Sequence, residues 1–218
     1  MMLRWPFARQ PGVIERLDPQ SAYQLWAGSY PPRPHNPLME VEQETVLALL
    51  PDVRELTVLD AGCGSGRYLR VLGERGANAI GMDLSRAMLE RARETTTRIA
   101  RADLRALPFD AMSFDLVVCG LALGDLAEIE LALTEIARVL RPGGRVIYSV
   151  VHPAGGEAGW SRTFESGGKQ WAIDSFWHSA DRHREACASA GLVIEEWREP
   201  AVKQATDQRA ILVVRARR

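Results

Sequence analysis

The chain has 218 residues, 46% hydrophobic and 25% charged, with a formal net charge of −1. That size suits one domain with a substantial core, and the composition excludes wholesale disorder. Near-neutral charge excludes a general electrostatic attraction to nucleic acid or anionic lipid, and the basic tail Arg215-Ala-Arg-Arg218 reads as a solvated end.

The three cysteines, Cys63, Cys119 and Cys187, stand far apart. They suggest neither a disulfide framework nor a zinc ribbon, and they fit a reducing cytoplasm. The opening residues lack the apolar core and cleavage site of a signal peptide, and no apolar run reaches membrane-spanning length, so a cytoplasmic protein with no membrane insertion is expected.

Residues 1–20 read as irregular, punctuated by Pro6, Pro11 and Pro19. Residues 21–37, "SAYQLWAGSYPPRPHNP", read as a helix start followed by an extended loop. A helix over 38–50 is closed by Pro51. Strand and helix then alternate: "LTVLDAG" and "GRYLRVLGERG", "NAIGMDLS" and "RAMLERARET", "RIARAD" and a loop, "FDLVVCGLAL" and "DLAEIELALTEIARVL", a turn "RPGG" and strand "RVIYSVVHP". Leu126, Ile129, Leu133, Ile136 and Leu140 form one apolar helical stripe. This alternation predicts a doubly wound, mostly parallel α/β sheet. Near the C-terminus, "VIEEWREP" and "RAILVVRARR" follow a helix with little between them, which predicts an antiparallel pair at the sheet edge.

In such a sheet, ligands bind at the carboxyl ends of the strands, where strand order reverses. The first strand ends in Asp60, followed by Gly62, Gly64 and Gly66. This spacing is neither the GxGxxG of dinucleotide binding nor a Walker loop. Asp60 would repel a pyrophosphate and suits an ammonium group; equally, it could accept hydrogen bonds from loop amides. Asp83, closing the second strand, suits a ribose diol, and Ser85 reads as a helix N-cap. Asp103, closing the third, suits an adenine amino group, with Leu104 and Met88 against the ring. An amine, a diol and an aromatic amine without phosphate describe S-adenosylmethionine.

These residues reach a known family. "VLDAGCGSGRY", "GMDLSRAMLERAR", "RADLRALPFDAMSFDLVVCGLAL" and "EIARVLRPGGRVIYS" resemble the ordered motifs of class I S-adenosylmethionine-dependent methyltransferases, nearest the small-molecule group of quinone-biosynthesis and biotin-pathway enzymes. The resemblance implies a Rossmann-like, seven-stranded sheet with strand seven antiparallel, in one domain over 1–218. Its parts are an N-terminal lid over 1–50, a cofactor core over 55–150 and a substrate-side insertion over 152–178. It implies a cofactor site of Tyr30, Asp60, Ala61, Gly62, Cys63, Gly64, Gly66, Asp83, Leu84, Met88, Asp103, Leu104, Cys119 and Gly120, with S-adenosylhomocysteine as product. Many relatives carry a histidine pair after strand four; here the residues are "LALGDL", and Asp125 with Glu128 is spaced like a helix capping box.

The expected partner is a small-molecule acceptor, not nucleic acid, bound by a monomer or homodimer. Tyr23, Trp160, Arg162 and Phe164 come from two aromatic-rich segments and are candidate acceptor contacts, although those aromatics could instead form a satellite core. Methyl transfer to a carboxylate or phenol oxygen needs positioning more than acid–base help, so no catalytic group is assigned; His35, His152 and His178 are weak candidate bases. No metal cluster is seen. The alternatives are an NAD(P)-dependent oxidoreductase, opposed by Asp60, and a non-catalytic S-adenosylmethionine-binding protein.

Overall fold

The structure, a computed structural model, describes residues 14–202 and 209–218. Residues 1–20 are expected to be irregular: residues 1–13, Pro6 and Pro11 included, lie outside the described residues, whereas Arg16–Leu17 form a strand and Pro19 opens a helix capped by Asp18, a position where proline's missing amide costs nothing. The elements run β1 (Arg16–Leu17), α1 (Pro19–Trp26), a 3-10 turn (Ala27–Ser29), α2 (Pro37–Leu49), β2 (Thr57–Ala61), α3 (Arg67–Glu74), β3 (Asn78–Asp83), α4 (Arg86–Ala92), β4 (Ile99–Arg101) and β5 (Phe114–Gly120). A second 3-10 turn (Leu123–Asp125) leads to α5 (Ile129–Val139), β6 (Leu140–Val151), α6 (Ala154–Glu157), β7 (Arg162–Ser166), β8 (Lys169–Ile173), α7 (Ala180–Ser189), β9 (Val193–Arg198) and β10 (Ile211–Arg217).

Seven strands form the main sheet in the order β4-β3-β2-β5-β6-β10-β9. β10 runs antiparallel to β6 and β9, and the other neighbouring pairs are parallel. The strand order reverses between β2 and β5, which opens a crevice beyond their carboxyl ends. The sheet is buried on both faces, and its strands show why. Leu59, Val117, Cys119, Val146 and Tyr148 join one core with the α5 stripe; their neighbours Val58, Leu116, Val118 and Ile147 join the other, under α2 and α3. Period-two alternation sends neighbours to opposite faces, and helices cover both, so the strands are apolar almost throughout.

Other stretches also gain definition. Residues 141–144 are not a free loop: they form the irregular start of β6, where the register to β5 shifts. Gly143, at φ +77°, supplies the left-handed step there, and its amide donates to the carbonyl of Arg218. The stretch 152–178, expected as a substrate-side insertion, holds α6, β7 and β8. Its β7–β8 hairpin turns at Gly167 and Gly168, both at positive φ, as a two-residue hairpin turn requires. β1 adds to β8 in parallel, making a second, three-stranded sheet. This small sheet and α1 share an apolar centre of Ala22, Phe164 and Ile173, flanked by Leu17, Trp26 and Trp171. The two aromatic segments thus form one cap.

Candidate active site

A cleft of about 420 Å³ opens at the carboxyl ends of β2, β3 and β5, beneath α1. Its floor is the glycine loop after β2. Gly62, Gly64 and Gly66 lie at φ +75°, +53° and +88°, and the amides of Gly62 and Cys63 both donate to the Met82 carbonyl. A Cβ on Gly62 would lie 2.6 Å from the Ala122 Cβ, so backbone alone fits where this loop meets the end of β5. Leu121, a cleft-lining residue directly after β5, sits at φ +60°. A bulky side chain rarely adopts that conformation; here the Leu121 amide is pinned by Ser149, through its carbonyl and its hydroxyl, at 3.0 Å each.

Asp83 faces the cleft from the end of β3. Its carboxylate accepts from the amides of Gly64 and Ser85, both at 2.8 Å, so the acid and the glycine loop hold each other in place. Burial raises its pKa, and those amides oppose the shift. Ser85 caps α4. Asp60 lies behind the wall, 1% exposed, and accepts from the amide of Leu69 in α3. Burial pushes its pKa up to about 7, against the pull of Arg67. Asp103 is engaged by Arg105, whose backbone amide, Nε and Nη2 all donate to it; Arg105 also reaches Glu128 at 3.2 Å. That bonding holds the Asp103 pKa below the usual range.

The structure brings Tyr23, Tyr30, Gly62, Gly64, Asp83, Leu84, Met88, Asp103, Leu104 and Gly120 onto one cleft wall. Ala61, Cys63 and Cys119 are buried behind it. Gly66 packs on Ala92 and Thr95 at the start of α3. Trp160 packs with Trp177 over Gly155, and Phe164 stacks on Trp26 inside the cap, 5.0 Å between ring centroids. Of the histidines, His35 packs edge-on against Trp26 and Tyr30. His152 is held by Glu199 and the amide of Ala154. His178 bonds the Leu126 carbonyl at 2.7 Å, and His183, buried beside Tyr148, is pushed down to about 4 by burial.

Asp125 is not half of a capping box. The N-cap of α5 is Glu128, which makes no side-chain cap bond. The Asp125 carboxylate turns instead into the cleft, where it accepts from Arg162 Nη2 and is hydrogen-bonded by Tyr23. Arg162 also donates to Ser175 Oγ at 2.9 Å and to the Tyr23 hydroxyl at 3.3 Å. Sequence spacing favoured the cap because Glu128 lies three positions after Asp125; nothing local to Asp125 signals a partner in β7.

Arg67 and Glu42, both missed in the sequence, complete the site. Glu42 accepts from Arg67 Nη1 at 2.7 Å, Tyr68 Oη at 2.8 Å and Ser149 Oγ at 2.6 Å. The ring of Tyr68 lies where a Cβ on Gly120 would come within 2.5 Å, so this buried network backs the cleft floor.

Among the described residues, five carboxylates line the cleft, from Asp18, Asp83, Asp103, Asp125 and Glu128, against the guanidinium groups of Arg67 and Arg105. An acid-rich, glycine-floored cleft with apolar walls from Met82, Met88 and Leu104 fits a cationic nucleoside and opposes a pyrophosphate. S-adenosylmethionine, with its ammonium and sulfonium charges, passes this test of fit. Among the described residues, no His, Cys, Asp and Glu cluster is arranged to hold a metal ion, and no helix is long and apolar enough to cross a membrane.

Comparison with known proteins agrees. A methyltransferase domain family matches residues 59–148. A malonyl-[acyl-carrier protein] O-methyltransferase from Salmonella typhimurium is 39% identical over 119 residues, covering 54% of this chain and 47% of that protein. A demethylmenaquinone methyltransferase from Clavibacter sepedonicus is 30% identical over 159 residues, covering 67% of this chain and 61% of that protein. The chain spans about half the length of the first of these relatives. An S-adenosylmethionine-dependent methyltransferase structure from Mesorhizobium loti superposes with a TM-score of 0.70 at 28% identity, covering 81% of this chain and 97% of that one. With its seven-stranded sheet and these matches, the chain is similar in fold, and over residues 59–148 in sequence, to the class I S-adenosylmethionine-dependent methyltransferases.

Proposed function

We propose that the chain transfers a methyl group from S-adenosylmethionine to a carboxylate or phenol oxygen of a small-molecule acceptor. The observation that carries this reading is the acid-rich cleft with Asp83 fixed at the mouth of the glycine loop. Bound S-adenosylmethionine supplies an electrophilic methyl group and leaves as S-adenosylhomocysteine, a neutral thioether.

The residues divide the remaining work. Asp83 is pre-oriented by two amides, with lone pairs left for a diol. Gly62 and Gly64 let a ligand approach the backbone. Met88 and Leu104 offer apolar faces to a purine, while Tyr23, Tyr30 and Phe176 also line the cleft. The two tyrosines stay protonated, because burial raises both of their pKa values.

No general base is assigned. All four histidines are held away from the cleft wall, and Asp125 is committed to Arg162 and Tyr23. An acceptor that is already ionised requires none, and positioning supplies the rate. The relatives' printed activities, O-methylation of malonyl-[acyl-carrier protein] and methylation of demethylmenaquinone, support a small acceptor.

The test is calorimetric titration with S-adenosylmethionine, S-adenosylhomocysteine and NADH, on the natural chain and on Asp83→Ala. The expected result is binding of both adenosyl compounds, weakened at least about tenfold by the substitution, the order expected for loss of a charge-assisted hydrogen bond. Binding of NADH, or adenosyl binding indifferent to Asp83, would overturn the cofactor reading. Methyl transfer from labelled cofactor to carboxylic and phenolic acids then tests the acceptor class.

A further inference from the structure

The cap and the sheet meet at a largely buried charge pair for which the proposed chemistry has no use. Arg162 stands at the start of β7 in the cap, and Asp125 ends the 3-10 turn after β5. Their side chains are 15% and 13% exposed. The guanidinium also serves Ser175 Oγ, the Asp174 carbonyl and the Tyr23 hydroxyl, the last carried by α1. One arginine therefore gathers α1, the hairpin exit and the β5 turn. A backbone bond from the Phe176 amide to the Gly124 carbonyl, at 2.9 Å, runs beside it. The cap's links to α4 are of another kind: Arg91 donates to the carbonyls of Ala27 and Gly28, and Gln24 accepts from the Ala87 amide, largely in solvent.

Tyr23 and Asp125 both line the cleft; Arg162 stands behind them and does not. Charged groups that are desolvated, paired and forked hold geometry better than solvent-exposed bonds without a counter-charge, and losing one partner acts mainly on dissociation. We propose that Arg162 and Asp125 are positioning residues: their ion pair fixes Tyr23 on the cleft wall and latches the cap over the cofactor, so that it sets how long the cofactor stays bound. This rests on the reading of the cleft as an adenosyl site. It assigns Arg162 to the latch and not to an acceptor anion, because its fork is already filled.

The test uses the full chain, Asp125→Asn, Arg162→Met, the double variant and Arg162→Lys. Stopped-flow measurement with S-adenosylhomocysteine gives on- and off-rates. Each single variant should speed dissociation at least about tenfold while the on-rate moves by less than about threefold, the signature of lost short-range pairing. The double variant should be no faster than the worse single one, because both remove the same link. Arg162→Lys should restore little, since an ammonium keeps the charge but not the fork. Additive effects, an unchanged off-rate, or full rescue by lysine would overturn the proposal.

A second measurement does not depend on cofactor. Hydrogen exchange of the free chain should rise in α1 and in β7–β8 of Asp125→Asn, with β2 and β5 unchanged. Uniformly raised exchange would mean a global stability role and refute the latch. If the natural chain bound no adenosyl compound, the function reading would fall, while exchange would still decide whether this pair holds the cap.

Discussion

Glu42 offers the sharpest test of how this fold is held together. It sits in the middle of α2, is fully buried, and gives its two carboxylate oxygens to Arg67, Tyr68 and Ser149. Removing it by Glu42→Ala leaves a guanidinium that is only 8% exposed without its counter-charge and strips two hydroxyls of their acceptor. Breaking a buried pair from one side costs about 3–5 kcal/mol. For a chain of this size each kcal/mol moves the midpoint by about 2–4 °C, so the expected loss is about 6–20 °C. Glu42→Gln keeps the shape and an acceptor for Tyr68 and Ser149, so its loss should be smaller than that of the alanine variant. Thermal unfolding followed by circular dichroism, with urea titration as a second measure, reads both. An alanine variant melting within about 2 °C of the natural chain would refute the claim that this network binds α2 to the sheet.

Two further predictions concern the glycine loop and its underside. Gly62→Ala forces a left-handed residue, costing about 1–2 kcal/mol, and drives its Cβ to 2.6 Å from Ala122 at the cleft wall, so cofactor affinity measured by calorimetry should fall at least about tenfold; unchanged affinity would show that Ala122 gives way freely. Burial raises the folded-state pKa of Asp60 to about 7 from the ordinary 3.8 of an exposed aspartate. Between these values the folded chain keeps a proton that the unfolded chain releases, so stability is fully present below about pH 4 and is lost as pH rises through about 7, by up to about 4 kcal/mol. Asp60→Asn removes that titration. Its midpoint relative to the natural chain should climb as pH goes from 5 to 8, and a constant gap would refute the assignment.

Much of this molecule was legible in the linear chain because its signals are local. Alternating strands and helices, the glycines after β2 and the acids closing β2 and β3 each report on backbone within a few residues. The turn at Gly167-Gly168 was legible too: paired glycines between "RTFES" and "KQWAI" are a hairpin signal that the aromatic richness of the segment obscured. Other features have no local signature. Glu42 lies in a helix whose polar positions ordinarily face water, and its burial follows only from α2 packing over Ser149 of β6 and Tyr68 of α3. Asp125 carries the spacing of a helix cap, but tertiary structure sends it to Arg162, 37 positions later. Sequence by itself determined the sheet, its edge pair and the cleft floor, since these rest on periodicity and backbone freedom. Tertiary structure alone decided which charges are paired, because the cost of burying a charge is met only by a partner that folding brings from far along the chain.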